Sequence, residues 1–66
     1  FFISKEAKYT SVPLKDLKIK KNILIASIIR KNQVIIPSGL DTLEPLDSVI
    51  IVTNGLVIKD VADILE

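Results

Sequence analysis

Three runs in this chain are apolar at almost every position: Ile23-Leu24-Ile25-Ala26-Ser27-Ile28-Ile29 ahead of Arg30, then Val34-Ile35-Ile36, and then Val49-Ile50-Ile51-Val52. A strand sends successive side chains to opposite faces. Strict alternation therefore puts Ile23, Ile25, Ser27 and Ile29 on one face and Leu24, Ala26, Ile28 and Arg30 on the other. Both faces are apolar, which predicts a central strand that needs cover above and below. The run is short for a helix and rich in β-branched Ile, so a strand is the reading.

The polar punctuation between the runs sets the connections. Arg30-Lys31-Asn32-Gln33 reads as a tight turn, making a hairpin of Ile23–Arg30 with residues 33–37. Pro37-Ser38-Gly39 ends the second strand, and Leu43 in the following loop is placed to plug the core. Asp47-Ser48 leads into the third strand, residues 49–53, and Asn54-Gly55 breaks it. Upstream, Phe1-Phe2-Ile3-Ser4-Lys5 reads as a further strand. Pro13 suits the first position of a short helix that puts Leu14 and Leu17 on one side. Residues 18–22 form a basic connection into the central strand. Ile58, Val61, Ala62 and Leu65 recur at helical spacing and predict a closing amphipathic helix. The expected fold is therefore α/β in its α+β form: a small, mostly antiparallel sheet of about four strands with two short helices.

Sixty-six residues make one domain with a marginal core of its own. Two short helices cover one sheet face and only part of the other, so pairing as a homodimer is expected. The alternative is a monomer whose loops fold over the second face. The chain lacks Met and starts at Phe1, and is expected to be a fragment of a longer protein. Nine basic against eight acidic residues give a net charge of +1, with no overall drive toward nucleic acid or an anionic membrane. No run approaches the ~20 apolar residues that cross a bilayer.

The chain holds neither His nor Cys. Serine–histidine and cysteine–histidine nucleophile arrangements are thereby excluded, and a metal site would have to use carboxylates alone. Asp41, Glu44 and Asp47 are the only spaced set, and turn stabilisation is the favoured role for Asp41 and Asp47. Gly39 and Gly55 form no phosphate-cradling motif. Catalysis is not expected. Lys15, Lys18, Lys20 and Lys21, with Arg30 and Lys31, make the densest basic cluster. It reads first as a solvated edge that guards strand ends, and second as a site for a phosphate-bearing ligand. A nucleic-acid module is the weakest of the readings, since the only aromatics are Phe1, Phe2 and Tyr9.

Val12-Pro13-Leu14-Lys15-Asp16-Leu17, the run Ile23–Arg30, Val34-Ile35-Ile36-Pro37 and Leu43-Glu44-Pro45-Leu46-Asp47-Ser48-Val49-Ile50-Ile51-Val52 occur in the order and spacing that resemble the TrkA C-terminal (RCK_C) domain of Trk-type potassium-uptake regulatory subunits. The closing Ile58-Lys59-Asp60-Val61-Ala62-Asp63-Ile64-Leu65 is similar to their tail. Leu46 and Asn32 stand where that family often has Gly, and Ser11 lies near where it often has Gly before the first helix. The resemblance implies a non-catalytic regulatory lobe, spanning 1–66, that pairs with its copy. It would pass effector binding to a membrane potassium transporter or channel from the cytoplasmic side, with NAD or ATP bound only in a separate Rossmann domain of the parent. Some relatives bind cyclic di-AMP across the dimer interface. The matching positions here are Lys18, Ile19, Lys20 and Asn22, with Lys20 where arginine is typical. The alternative implied function is a cyclic-dinucleotide sensor attached to another transporter.

Overall fold

Ile23–Arg30 (β1) is the middle strand of a three-stranded antiparallel sheet in a computed structural model that describes residues 1–66. Gln33–Ile35 (β2) lies on one side of it and Ser48–Thr53 (β3) on the other. The architecture is the expected small α+β domain, with short helical turns around the sheet. Arg30 pairs with Gln33, leaving Lys31-Asn32 as a two-residue hairpin loop. Both loop residues have positive φ, 50° and 65°, which matches the mirror-image turn that fits the twist of a hairpin.

The faces of β1 depart from strict alternation. Ile25 pairs with Ile51 and Ser27 with Ile50, so Ala26 is an extra residue in the β1 ladder. A bulge of this kind shifts the parity of everything beyond it. Ile23 and Ile25 face the core before the bulge, and Ile28 and Arg30 face it afterwards. Ile28 is thus completely buried, on the face from which alternation would have excluded it. Its cross-strand partners Ile35 and Val49 share that face.

Ile3, Ile25, Ile28, Leu43, Val49, Val61 and Ile64 form the core. Leu43 plugs it from the loop, with no exposed surface. The N-terminal stretch contributes a single bridge, Phe2 with Ser48, in place of a fourth strand; there the Val49 N–H donates to the Phe1 carbonyl at 2.6 Å. The second strand is shorter than expected, ending before Ile36, because the chain then turns away through Pro37, which has no N–H to continue a ladder. Both helical segments are single 3₁₀ turns, Leu14–Asp16 and Val61–Ile64. Pro13 precedes the first turn in extended conformation instead of opening it. In the second turn Val61 and Ile64 are the buried pair and Ala62 is exposed. A 3₁₀ turn eclipses residues three apart, so an i, i+3 pair satisfies it where an α-helix would need the wider stripe. No helix is long and apolar enough to cross a membrane.

The opposite face of the sheet has no cover. Leu24 and Val52 pair across it, as do Ile29 and Val34. Leu24, Val34, Ile50 and Val52 are 62%, 67%, 50% and 52% exposed. Outside the sheet, the fully buried residues Ile3, Leu43, Val61 and Ile64 all belong to the core on the other side.

One partly buried ion pair, with Asp47 enclosed and Arg30 about a third exposed, ties the sheet to the loop that enters β3. Arg30 donates from Nε and Nη2 to the two oxygens of Asp47, at 2.9 and 2.8 Å. A second bond from Nη2 goes to the Thr42 carbonyl, and Asp47 also accepts the Glu44 N–H. The Asp47 side chain is 2% exposed, and no buried side-chain polar atom lacks a partner. Burial alone pushes the Asp47 carboxyl up; the Arg30 and Glu44 hydrogen bonds and the Arg30 charge outweigh it and hold it below the usual carboxylate range.

These local arrangements carry three predictions. Replacing Arg30 with Met strands the Asp47 charge and should lower stability by about 3 kcal/mol in urea unfolding. Because Asp47 is depressed in the folded state, its contribution is whole above the unfolded carboxylate pKa of about 3.9 and drains away as pH falls below that value. Acid titration of the wild type should show this loss, and Arg30→Met should flatten it. Leu46 carries a φ of 72° with its side chain half exposed. A branched residue there is strained, so Leu46→Gly should raise the urea midpoint by about 1 kcal/mol of stability.

Candidate functional site

Beside the first half of β1 the sheet is open, since β2 pairs only with residues 28–30. There the chain leaves through Pro37-Ser38-Gly39, and the first 3₁₀ turn and the basic connection close the far side. The result is a shallow, open cleft of about 350 Å³ lined by Leu14, Lys15, Ile19, Lys20, Ile23, Leu24, Ile25 and residues 37–39. That volume falls at the small end of the range for ligand pockets.

Its two cationic walls are fixed by backbone bonds. The Lys15 N–H donates to the Gly39 carbonyl at 2.9 Å, and a Cβ at position 39 would sit 3.2 Å from the Lys15 Cβ. A side chain at 39 would require the Lys15 Cβ to give by a few tenths of an ångström. On the other wall the Lys20 N–H donates to the Ile64 carbonyl at 2.7 Å. Both lysine side chains are exposed, and neither has a carboxylate within ion-pair distance, since Arg30–Asp47 is the one salt bridge in the chain. Ile19, Leu24 and Pro37 supply apolar surface between them. Two solvated ammonium groups beside apolar surface can hold an anionic ligand that carries flat or apolar groups next to its phosphates.

Of the residues picked from the sequence, Ile19 and Lys20 line this cavity. Lys18 and Asn22 do not: the Lys18 carbonyl accepts the Glu66 N–H, and Asn22, at a φ of 65°, accepts the Asn54 N–H as the chain turns into β1. Lys15 and Gly39 were missed as lining residues. Lys15 was visible only as one of a basic cluster, and its approach to Gly39 depends on a long-range bond. Arg30 does not join that cluster, being committed to Asp47 at the other end of β1. A second cavity of about 310 Å³ lies there, lined by Arg30, Lys31, Glu44, Pro45, Leu46 and Asp47, with Arg30 and Asp47 paired to each other. Asp41 and Asp47 act in turns: Asp41 accepts the Ser38 N–H at 2.7 Å, and Asp47 accepts that of Glu44.

Leu24 belongs to two features. It lines the cavity, and it stands on the uncovered apolar face of the sheet beside Val52. The cavity therefore opens at the border of that face.

A model of the TrkA-C domain family matches residues 1–66. A solved structure described as "Structure of RCK domain with cda" is similar at 27% identity, with a TM-score of 0.70, over 83% of this chain and 80% of that one. Comparison with curated proteins finds no match.

Proposed function

Since the chain belongs to the TrkA-C domain family, a family of regulatory ligand-binding domains of ion-transport systems, we propose that it is the pairing and effector-binding lobe of a potassium-transport subunit. Two copies meet through the uncovered sheet face, and an anionic effector occupies the cavity at its border. Occupancy biases the arrangement of the pair, and the parent protein passes that bias to a membrane transporter or channel from its cytoplasmic side. NAD or ATP binding would belong to a separate Rossmann domain of the parent. The lobe itself is non-catalytic, acting by binding alone.

The observation that carries this reading is the position of Leu24, shared by the apolar face and the lysine-walled cavity. A face that exposes four large aliphatic side chains side by side is costly to leave in water, and a second copy is the simplest cover. The two lysines without carboxylate partners support a phosphate-bearing effector. The sequence resemblance points to cyclic di-AMP, which carries two phosphates between two flat bases.

Sedimentation equilibrium at micromolar concentration should give a dimer for the wild type and a monomer for Ile50→Asp, which places a charge in the middle of the face. A wild-type monomer across that range would end the pairing half of the proposal. Calorimetry with cyclic di-AMP should give a binding isotherm that weakens about tenfold or more in Lys20→Ala, the loss of one charge-assisted contact. Absence of heat from the wild type would end the effector half.

A further inference from the structure

Residues 60–66 contribute nothing to the cavity lining, yet they hold one of its walls. Ile19 bridges Leu65 in antiparallel fashion. The Lys20 N–H donates to the Ile64 carbonyl at 2.7 Å, and the Glu66 N–H donates to the Lys18 carbonyl at 2.8 Å. Apart from a local bond from Ile19 to the Leu17 carbonyl, these are the backbone hydrogen bonds that fix residues 18–20. The lysine wall is thus one side of a narrow two-stranded ribbon whose other side is the end of this segment.

The segment has its own anchors. Val61 and Ile64, each 1% exposed, insert into the core. The turn between them is capped at its entrance: Asp60 accepts the Val61 N–H at 2.9 Å, and Asp63 accepts the N–H groups of Lys59 and Asp60 at 3.0 and 3.2 Å. Those two backbone N–H groups hold the Asp63 carboxyl below the usual carboxylate range, and the charges of Lys20 and Lys59 add to the effect. Asp63 is therefore tied to the turn through two hydrogen bonds. The other wall, at Lys15, is fixed separately through Gly39, so the two walls depend on different parts of the chain.

We propose that residues 60–66 are a strap that positions the Lys20 wall, so that order in the strap and anion binding in the cavity are linked. This rests on the effector reading above and adds to it the element that sets affinity. Linkage is reciprocal: whatever orders the strap tightens binding, and a bound anion protects the strap. Asp63 and Asp60 are positioning residues here, since neither lines the cavity.

The test compares Asp63→Asn with Asp63→Ala, using cyclic di-AMP as the probe. Both remove the charge near Lys20, but the amide keeps an oxygen to accept the N–H groups of Lys59 and Asp60. Calorimetry should find Asp63→Ala about tenfold weaker than Asp63→Asn, within the usual range of coupling between sites. Amide exchange at Lys20 should be faster in Asp63→Ala, and nucleotide should slow exchange at Lys20 and Glu66 in the wild type. Equal affinities in the two variants, with the wild type binding, would overturn the strap and leave the effector reading standing. A wild type that binds no cyclic di-AMP would overturn both. If Asp63→Ala does not fold, the wild-type exchange decides: nucleotide-induced protection at Glu66 supports the strap, and unchanged exchange there overturns it.

Discussion

A three-stranded sheet has two faces, and this chain has covering material for one. The loop carrying Leu43, the N-terminal Ile3 and the turn holding Val61 and Ile64 all converge on the same side of the sheet, where each is almost fully buried. Within residues 1–66 these segments are committed to that side, and the segment that might have continued β2 turns away at Pro37 before reaching the first half of β1, which leaves the cleft beside it open.

What holds the one covered face together is partly polar. The Arg30–Asp47 pair sits where β1, the hairpin and the loop into β3 meet, and it satisfies two backbone groups as well as itself. A buried ion pair is weak evidence for net stability when compared with an apolar replacement of both partners. Its contribution here is geometric: it fixes where the loop enters β3, and hence how Leu43 seats.

The sequence made the three strands and the hairpin legible because the signals are local. Ile23–Arg30 reads as a strand from composition alone, and Lys31-Asn32 marks a turn of fixed length. The bulge at Ala26 was not legible, since an alternating pattern apolar on both faces carries no record of a parity change. The closing segment was read as an α-helix because Ile58, Val61, Ala62 and Leu65 fit that period; tertiary packing chose a single 3₁₀ turn around Val61 and Ile64 instead. The cavity was half legible. Ile19 and Lys20 came from family resemblance, whereas Lys15 and Gly39 meet through a contact between residues 24 positions apart in the chain, which no local pattern encodes. Ser11, Asn32 and Leu46 all sit at positive φ, a region that glycine enters without steric cost.

The extra residue in β1 makes the middle strand intolerant of changes in length. Deleting Ala26 would restore regular pleating and rotate Ile28 and Arg30 outward together, stripping the interior of an isoleucine and parting the guanidinium from its carboxylate in one event. Natural variation in this strand should therefore run through substitution, with insertions and deletions confined to the loops.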